Sequence, residues 1–303
     1  NELQQSNVDM FVDPSFNYGS WVELYNPTDK AVSIIGFHVS EDPANLKMFR
    51  LTPSVGVIPA KGYKVLWFDH NEADPRQIDF KLDCDGGTFY IADENGNLVT
   101  LQSYPAAISR TSYARTTDGA NNWGLTALPT PGKSNDGSVF ATARLDAPII
   151  NKDSQLFTSS FIARVTIPDG ATLKYTTDGT TPSATNGQVS TTGRFTVNTT
   201  TTYRFRLFQD GMLPSEVITR SYIYKDKEFK LPVISVVTDP VNLYDDSLGV
   251  YVKGVNGRPG NGQSTPCNWN MEWDRPVNFE YITPDGKMAF NQEVDFAMCG
   301  GWS

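Results

Sequence analysis

The chain has only two histidines, His38 and His70, and three cysteines, Cys84, Cys267 and Cys299. Two histidines give no Ser/His/Asp or Cys/His set worth defending, which argues against triad-type nucleophilic catalysis. Three widely spaced cysteines make no disulfide framework, and no Cys-x-x-Cys pair suggests zinc. Cys267 and Cys299 either pair or stay free. No run of about 18 apolar residues occurs, so nothing reads as a membrane-spanning helix. Helical periodicity is missing as well; only 69–77 and 240–246 have room for a short helical turn. Positive charge is in deficit, with 25 Lys and Arg against 34 Asp and Glu and a net charge of −9. Phosphate binding needs clustered cations, so nucleic acid is disfavoured as a partner, and an anionic membrane surface equally. The charge reads as a source of solubility. The sequence begins at Asn1 without an initiator Met, as expected of a trimmed chain whose signal peptide has been removed.

What is present favours strands and turns. The 303 residues suggest two or three domains. Aromatics make up 12%, among many Thr, Gly and Pro, a composition that favours β-structure. Residues 21–25 (WVELY) read as a strand, Asn26-Pro27-Thr28-Asp29 as a turn and 31–35 as a second strand, together a hairpin. Strands are also expected over 62–68 and 79–83. Residues 88–92 and 98–101 flank Asn95-Gly96, a strong hairpin signal. Asp93, Asn95 and Asn97 mimic the start of a calcium loop. The sixth and twelfth positions are Leu98 and Tyr104 where Gly and Glu are needed, so the stretch reads as a turn. Residues 133–144 read as a linker. Alternation then runs through 161–167, 173–177, 193–197, 202–208 and 217–224, the spacing of an immunoglobulin-like sandwich. A charged connector, 225–230, leads to expected strands at 231–238, 248–252, 273–281 and 290–298, with a glycine-rich loop at 254–263.

Three resemblances attach to these stretches. The run WVELYNPTDKAVSIIGFHVSED at 21–42 resembles the signature of the lamin tail domain family, with Trp21, Glu23, Tyr25, Asn26 and Gly36 at its marked positions. Later motifs follow in order at 57–66, 81–103 and 112–135, so the resemblance covers about 1–135. It implies a sandwich over 1–137 whose first strand adds to a sheet edge. Residues 173–182 (LKYTTDGTTP), with Asp178, Gly179 and Pro182, resemble the C-terminal sandwich domain of chitobiase and β-hexosaminidase proteins. That implies an accessory, non-catalytic sandwich over 145–225. Residues 231–303 resemble the opening of the CotH kinase family, through Leu231-Pro232-Val233, 248–251, Arg275 and Pro276 within 273–281, and the final Gly300-Gly301-Trp302-Ser303. The stretch ends before the Lys and acidic residues of such kinases, which implies a truncated N-terminal piece of a longer protein. ATP and Mg²⁺ would belong only to the full-length kinase domain, which would phosphorylate proteins.

The expectation is thus an all-β chain of two immunoglobulin-like sandwiches and a partial, mostly β third segment, with no catalytic residue, cofactor or metal of its own. It reads as an interaction and spacer region of a secreted or surface bacterial protein. The alternative is a module binding carbohydrate or cell envelope without kinase activity. Partners would be protein or envelope glycan. Aromatic rings stack on apolar sugar faces, which makes Trp67, Phe68, Trp269 and Trp273 candidate ligand contacts against a core role. Asp69, His70, Glu72 and Asp74 could ligate a metal but read as a solvated loop. The glycine-rich 254–262 lacks a following helix and contains Pro259, so it reads as a mobile loop and not a phosphate cradle. His38 is expected to pack, and Asn198-Thr199-Thr200 is a glycosylation sequon.

Overall fold

The computed structural model describes residues 1–69, 76–260 and 262–300. It forms two compact units, 1–142 and 143–303. Both are built almost wholly of strands, as the alternating patterns predict; the described helix is one turn, α1 (Val241–Tyr244), with 3-10 turns at Pro53–Val55 and Asn268–Asn270.

The first unit contains β1 (Glu2–Gln4), β2 (Ser20–Tyr25), β3 (Val32–Ser33), β4 (His38–Ser40), β5 (Phe49–Arg50), β6 (Val57–Ile58), β7 (Tyr63–Phe68), β8 (Gln77–Ile78), β9 (Gly87–Ala92), β10 (Leu98–Tyr104), β11 (Ser112–Arg115), β12 (Trp123–Thr126) and β13 (Phe140–Ala141). One sheet runs β13-β12-β11-β1-β2-β7-β8 and the other β10-β9-β4-β5. Leu3, Val22, Leu66 and Phe68 from the first meet Val39, Phe89 and Ile91 from the second in one core. Phe68 and Phe89 meet edge to face at 5.7 Å, a geometry favoured by the ring quadrupoles.

Pairing differs from expectation at two places. β2 does not form a hairpin with the 31–35 run, because its neighbours are β1 and β7, in register Glu2↔Glu23 and Trp21↔Trp67. The Asn26 amide donates to the carbonyls of Lys30 and Pro59, at 2.8 and 2.9 Å. This clamp turns the chain away from β2, and β3 pairs with β6 instead. β1 lies inside the sheet, between β2 and β11, and not at an edge. The β9–β10 hairpin forms as predicted, with Gly96 at φ 91°. Asp93 accepts the Asn95 and Asn97 amides at 2.9 and 2.8 Å, so its carboxylate organises the turn. The 79–83 stretch is irregular after Ile78, and the expected linker contributes β13 to the sheet.

The second unit contains β14 (Gln155–Phe157), β15 (Phe161–Arg164), β16 (Thr172–Thr176), β17 (Gln188–Ser190), β18 (Arg194–Val197), β19 (Thr201–Phe208), β20 (Ile218–Tyr224), β21 (Val233–Val237), β22 (Arg258–Gly260), β23 (Gln263–Cys267), β24 (Arg275–Ile282) and β25 (Met288–Phe296). The sheet β14-β20-β19-β16-β17 faces the β15–β18 pair across Ala163, Leu173, Phe195, Phe205 and Tyr222. β21-β24-β25 form a separate antiparallel sheet. The expected strand at 248–252 is a turn. Its Gly249, Val250 and Tyr251 amides donate to Asp245, Asn242 and Leu243 carbonyls, which spends them on capping α1. The glycine-rich 254–263 stretch holds β22 and leads into β23, so it is partly a hairpin. Strand β21 is not buried on both sides: Ile234 and Val236 are exposed. All three cysteines are free, Cys267 buried and the others exposed.

Candidate ligand-binding surfaces

The four aromatics chosen from sequence separate sharply. Phe68 (0% exposed) and Trp273 (1%) are core side chains and offer no ring to a ligand. Strand period 2 explains Phe68: it alternates with Trp67 and takes the inward side of β7. Trp273 is covered by the Arg275 guanidinium, 4.9 Å from its ring centre. Trp67 is half-buried and lies 6.4 Å from the Trp21 ring. Trp269 is 39% exposed and stays accessible. Of the proposed loop ligands, His70, Glu72 and Asp74 lie outside the described residues, as do Gly301, Trp302 and Ser303 and most of the helical turn expected at 69–77. His38 is buried, with Nδ1 3.1 Å from the Asp93 carbonyl.

The signature residues act structurally. Trp21 is fully buried and donates its indole N–H to Gln4 at 2.9 Å. Tyr25 stacks on Tyr63 at 5.1 Å. Gly36 takes φ 87° in the turn before β4. Glu23, the one charge within the apolar run of β2, is fully buried. It accepts from Asn1 Nδ2 at 2.9 Å and from the Gly132 amide at 2.6 Å. Asp178 accepts the Thr180 amide and hydroxyl, and the Gly179 carbonyl receives Arg204 at 2.9 Å. The Pro182 carbonyl accepts from Arg206 at 3.4 Å. Arg275 is buried and donates to the Leu248 carbonyl at 2.9 Å, while the Pro276 carbonyl accepts from Thr238.

Two surfaces escaped sequence reasoning. A shallow hollow of about 480 Å³ in the first unit is lined by Tyr104, Pro105, Tyr113, Leu125 and Ala141. The Tyr113 ring stacks on Trp123 at 5.1 Å, and the Arg115 guanidinium covers Trp123 at 4.6 Å. In the second unit, β21-β24-β25 turn Ile234, Val236, Phe279, Tyr281 and Phe290 to one side. Phe290 lies parallel to Phe279 and Tyr281 at 5.5 and 5.7 Å. The opposite side of this sheet is covered, with Val237 and Ile282 buried at its ends and a polar group between them. Glu280 is fully buried there, with Ser154 Oγ as partner and Asn291 Nδ2 at 2.7 Å; Ser221 and Ser235 hydroxyls meet at 2.8 Å. The sheet thus presses its Glu280 side onto the sandwich and shows its aromatic side to solvent. Alternation in sequence marks both sides but not which one is covered.

Burial dominates the electrostatics. It pushes Glu23 up to about 7 against its hydrogen bonds, and Glu41, a partner of the Tyr104 hydroxyl, also to about 7. Burial likewise raises Glu2 and Glu280. Glu2 and Glu23 are tied to the Thr130 and Gly132 amides, so their oxygens serve the closing loop of the unit and not a reacting group. Among the described residues, no three or more His, Cys, Asp or Glu are grouped to hold a metal. No described helix is long and apolar enough to cross a membrane.

No curated protein matches the chain. Residues 154–219, which run from the start of β14 to the first residues of β20, match the family model of the chitobiase/beta-hexosaminidase C-terminal domain.

Proposed function

We propose that the chain is a non-catalytic accessory region of a secreted or surface bacterial protein that binds carbohydrate or cell-envelope material. The family match at 154–219 carries this reading. The hollow beside Tyr113 and Trp123 supports it, because sugar rings pack on aromatic surface with polar groups at its rim. A glycan and peptidoglycan array probed with the 303-residue chain tests it. Retention of a defined glycan, lost in Tyr113→Ala, is the expected result. No retention on any glycan overturns it.

A second reading treats β21-β24-β25 as the first layer of a larger domain of the CotH kinase type, with ATP and Mg²⁺ used only by the complete protein. The outward aromatic side supports it, since a sheet normally turns that side to a core. The gene should then continue beyond codon 303 with Arg, and later a Lys and acidic residues. A stop codon there overturns this second reading.

A further inference from the structure

We propose that Asp13, Asn17, Asp69 and Gln77 form a binding site for a hard divalent cation of the calcium class, in the first unit. Asp13 is almost wholly buried. Its Oδ1 accepts the Ser15 and Asn17 amides at 2.7 and 3.0 Å, and its Oδ2 accepts Gln77 Nε2 at 2.8 Å. Asp69 approaches over Gly19: a Cβ placed on that glycine would lie 3.1 Å from Asp69 Cβ and 3.3 Å from Asp13 Oδ2. Two carboxylates therefore share one small space.

The independent observation is a surplus of acceptors. Gln77 is 4% exposed, and its Oε1 is buried with no hydrogen-bond donor. The same amide bonds Asp13 through Nε2, so this oxygen is held beside the Asp13 carboxylate. Asn17, whose backbone amide binds Asp13 Oδ1, also has a buried side-chain oxygen without a donor. A buried acceptor left unpaired is costly, and the Gln77 oxygen beside the Asp13 carboxylate marks a place short of positive charge.

The donor set selects the ion. Carboxylate and amide oxygens suit Ca²⁺, which takes 6–8 oxygens at 2.3–2.6 Å in flexible geometry. Mg²⁺ demands near-ideal octahedra and keeps its waters, and zinc favours nitrogen and sulfur. Two carboxylates and two amides give a modest charge count, which places the affinity at about 10⁻⁴–10⁻³ M, the range of extracellular modules.

Calorimetric titration and thermal melting of the 303-residue chain with CaCl₂, against MgCl₂ and KCl, test the site. Saturable Ca²⁺ binding, and a melting midpoint that rises with calcium concentration, are expected. Asp69→Asn should melt like the parent without calcium and bind Ca²⁺ at least about tenfold more weakly, as loss of one charged ligand requires. Asn17→Ala provides a second variant that keeps Asp13. No calcium-dependent heat or midpoint shift, an equal response to Mg²⁺, or unchanged binding in both variants would overturn the proposal.

Discussion

The Glu23 carboxylate accepts the Gly132 amide at 2.6 Å across 109 residues of chain. This bond joins β2 to the closing loop of the first unit, beside the Glu2–Thr130 tie from β1. Glu23→Ala removes a fully buried acceptor that serves both the Gly132 amide and the Asn1 side chain, so we expect a loss of about 1–3 kcal/mol. Urea unfolding followed by tryptophan fluorescence measures it. A loss below a few tenths would contradict the role.

The same carboxylate sets a pH trend. Glu23 and Glu41 titrate at about 7 and Asp13 at about 6, all above their unfolded values of 4.5, 4.5 and 3.8. Between these limits the folded chain binds more protons, so stability is greatest at low pH within the window and falls as pH rises from about 4 to about 7.5. The melting midpoint should be higher at pH 5 than at pH 8. Glu23→Gln should flatten part of that slope.

Glu280 supplies a parallel test in the second unit. Burial raises its pKa, and Ser154 and Asn291 hold one oxygen while the other has no partner. By the same sign, its charge weakens the fold once pH exceeds the raised value. Glu280→Gln should be no less stable than the parent at pH 8, whereas Glu280→Leu should lose about 1–3 kcal/mol through the stranded Ser154 and Asn291 groups. Denaturant midpoints of both variants decide this.

Gly179 and Gly211 make a matched pair. Both have positive φ, 86° and 76°. A Cβ on Gly179 would lie 2.5 Å from the Thr238 carbonyl oxygen, whereas nothing lies within 4 Å at Gly211. Gly211→Ala should cost about 1 kcal/mol from backbone strain alone. Gly179→Ala should cost clearly more, since the Thr238 backbone must move. Equal costs in urea melts would show that the Asp178–Gly179 turn does not dock there.

The aromatic side of β21-β24-β25 should tolerate change. Phe290 is exposed, so Phe290→Ser should alter stability by under about 1 kcal/mol. It should reduce binding of an apolar dye and any concentration-dependent association seen by sedimentation. A large loss of stability would mean the ring is part of a core.

Much of this architecture was legible in the residues. The alternation of 202–208 yields β19, and Asn95-Gly96 yields the β9–β10 turn, because both depend on neighbours a few positions away. The asparagine at position 26 shows the limit. It reads as a hairpin turn, yet its amide reaches the Pro59 carbonyl and sends the chain into another sheet. At 248–252, β-favouring residues became a turn because α1 needed donors for its last carbonyls. Of the four aromatics chosen as ligand contacts, only Trp269 is clearly exposed, and the Tyr113 hollow was invisible because its walls come from β10, β11, β12 and β13.

Strand, turn and the all-β character were fixed by local sequence, since φ preference and side-chain alternation act within a few residues. Which strand lies beside which, and which side of each strand is covered, required the folded chain. Glu23 and Glu280 lie inward while Phe290 lies outward, against their hydropathy. The physical reason is that a buried carboxylate is tolerated only where distant donors converge on it, and those donors, Gly132 for one and Ser154 for the other, are brought in by tertiary pairing.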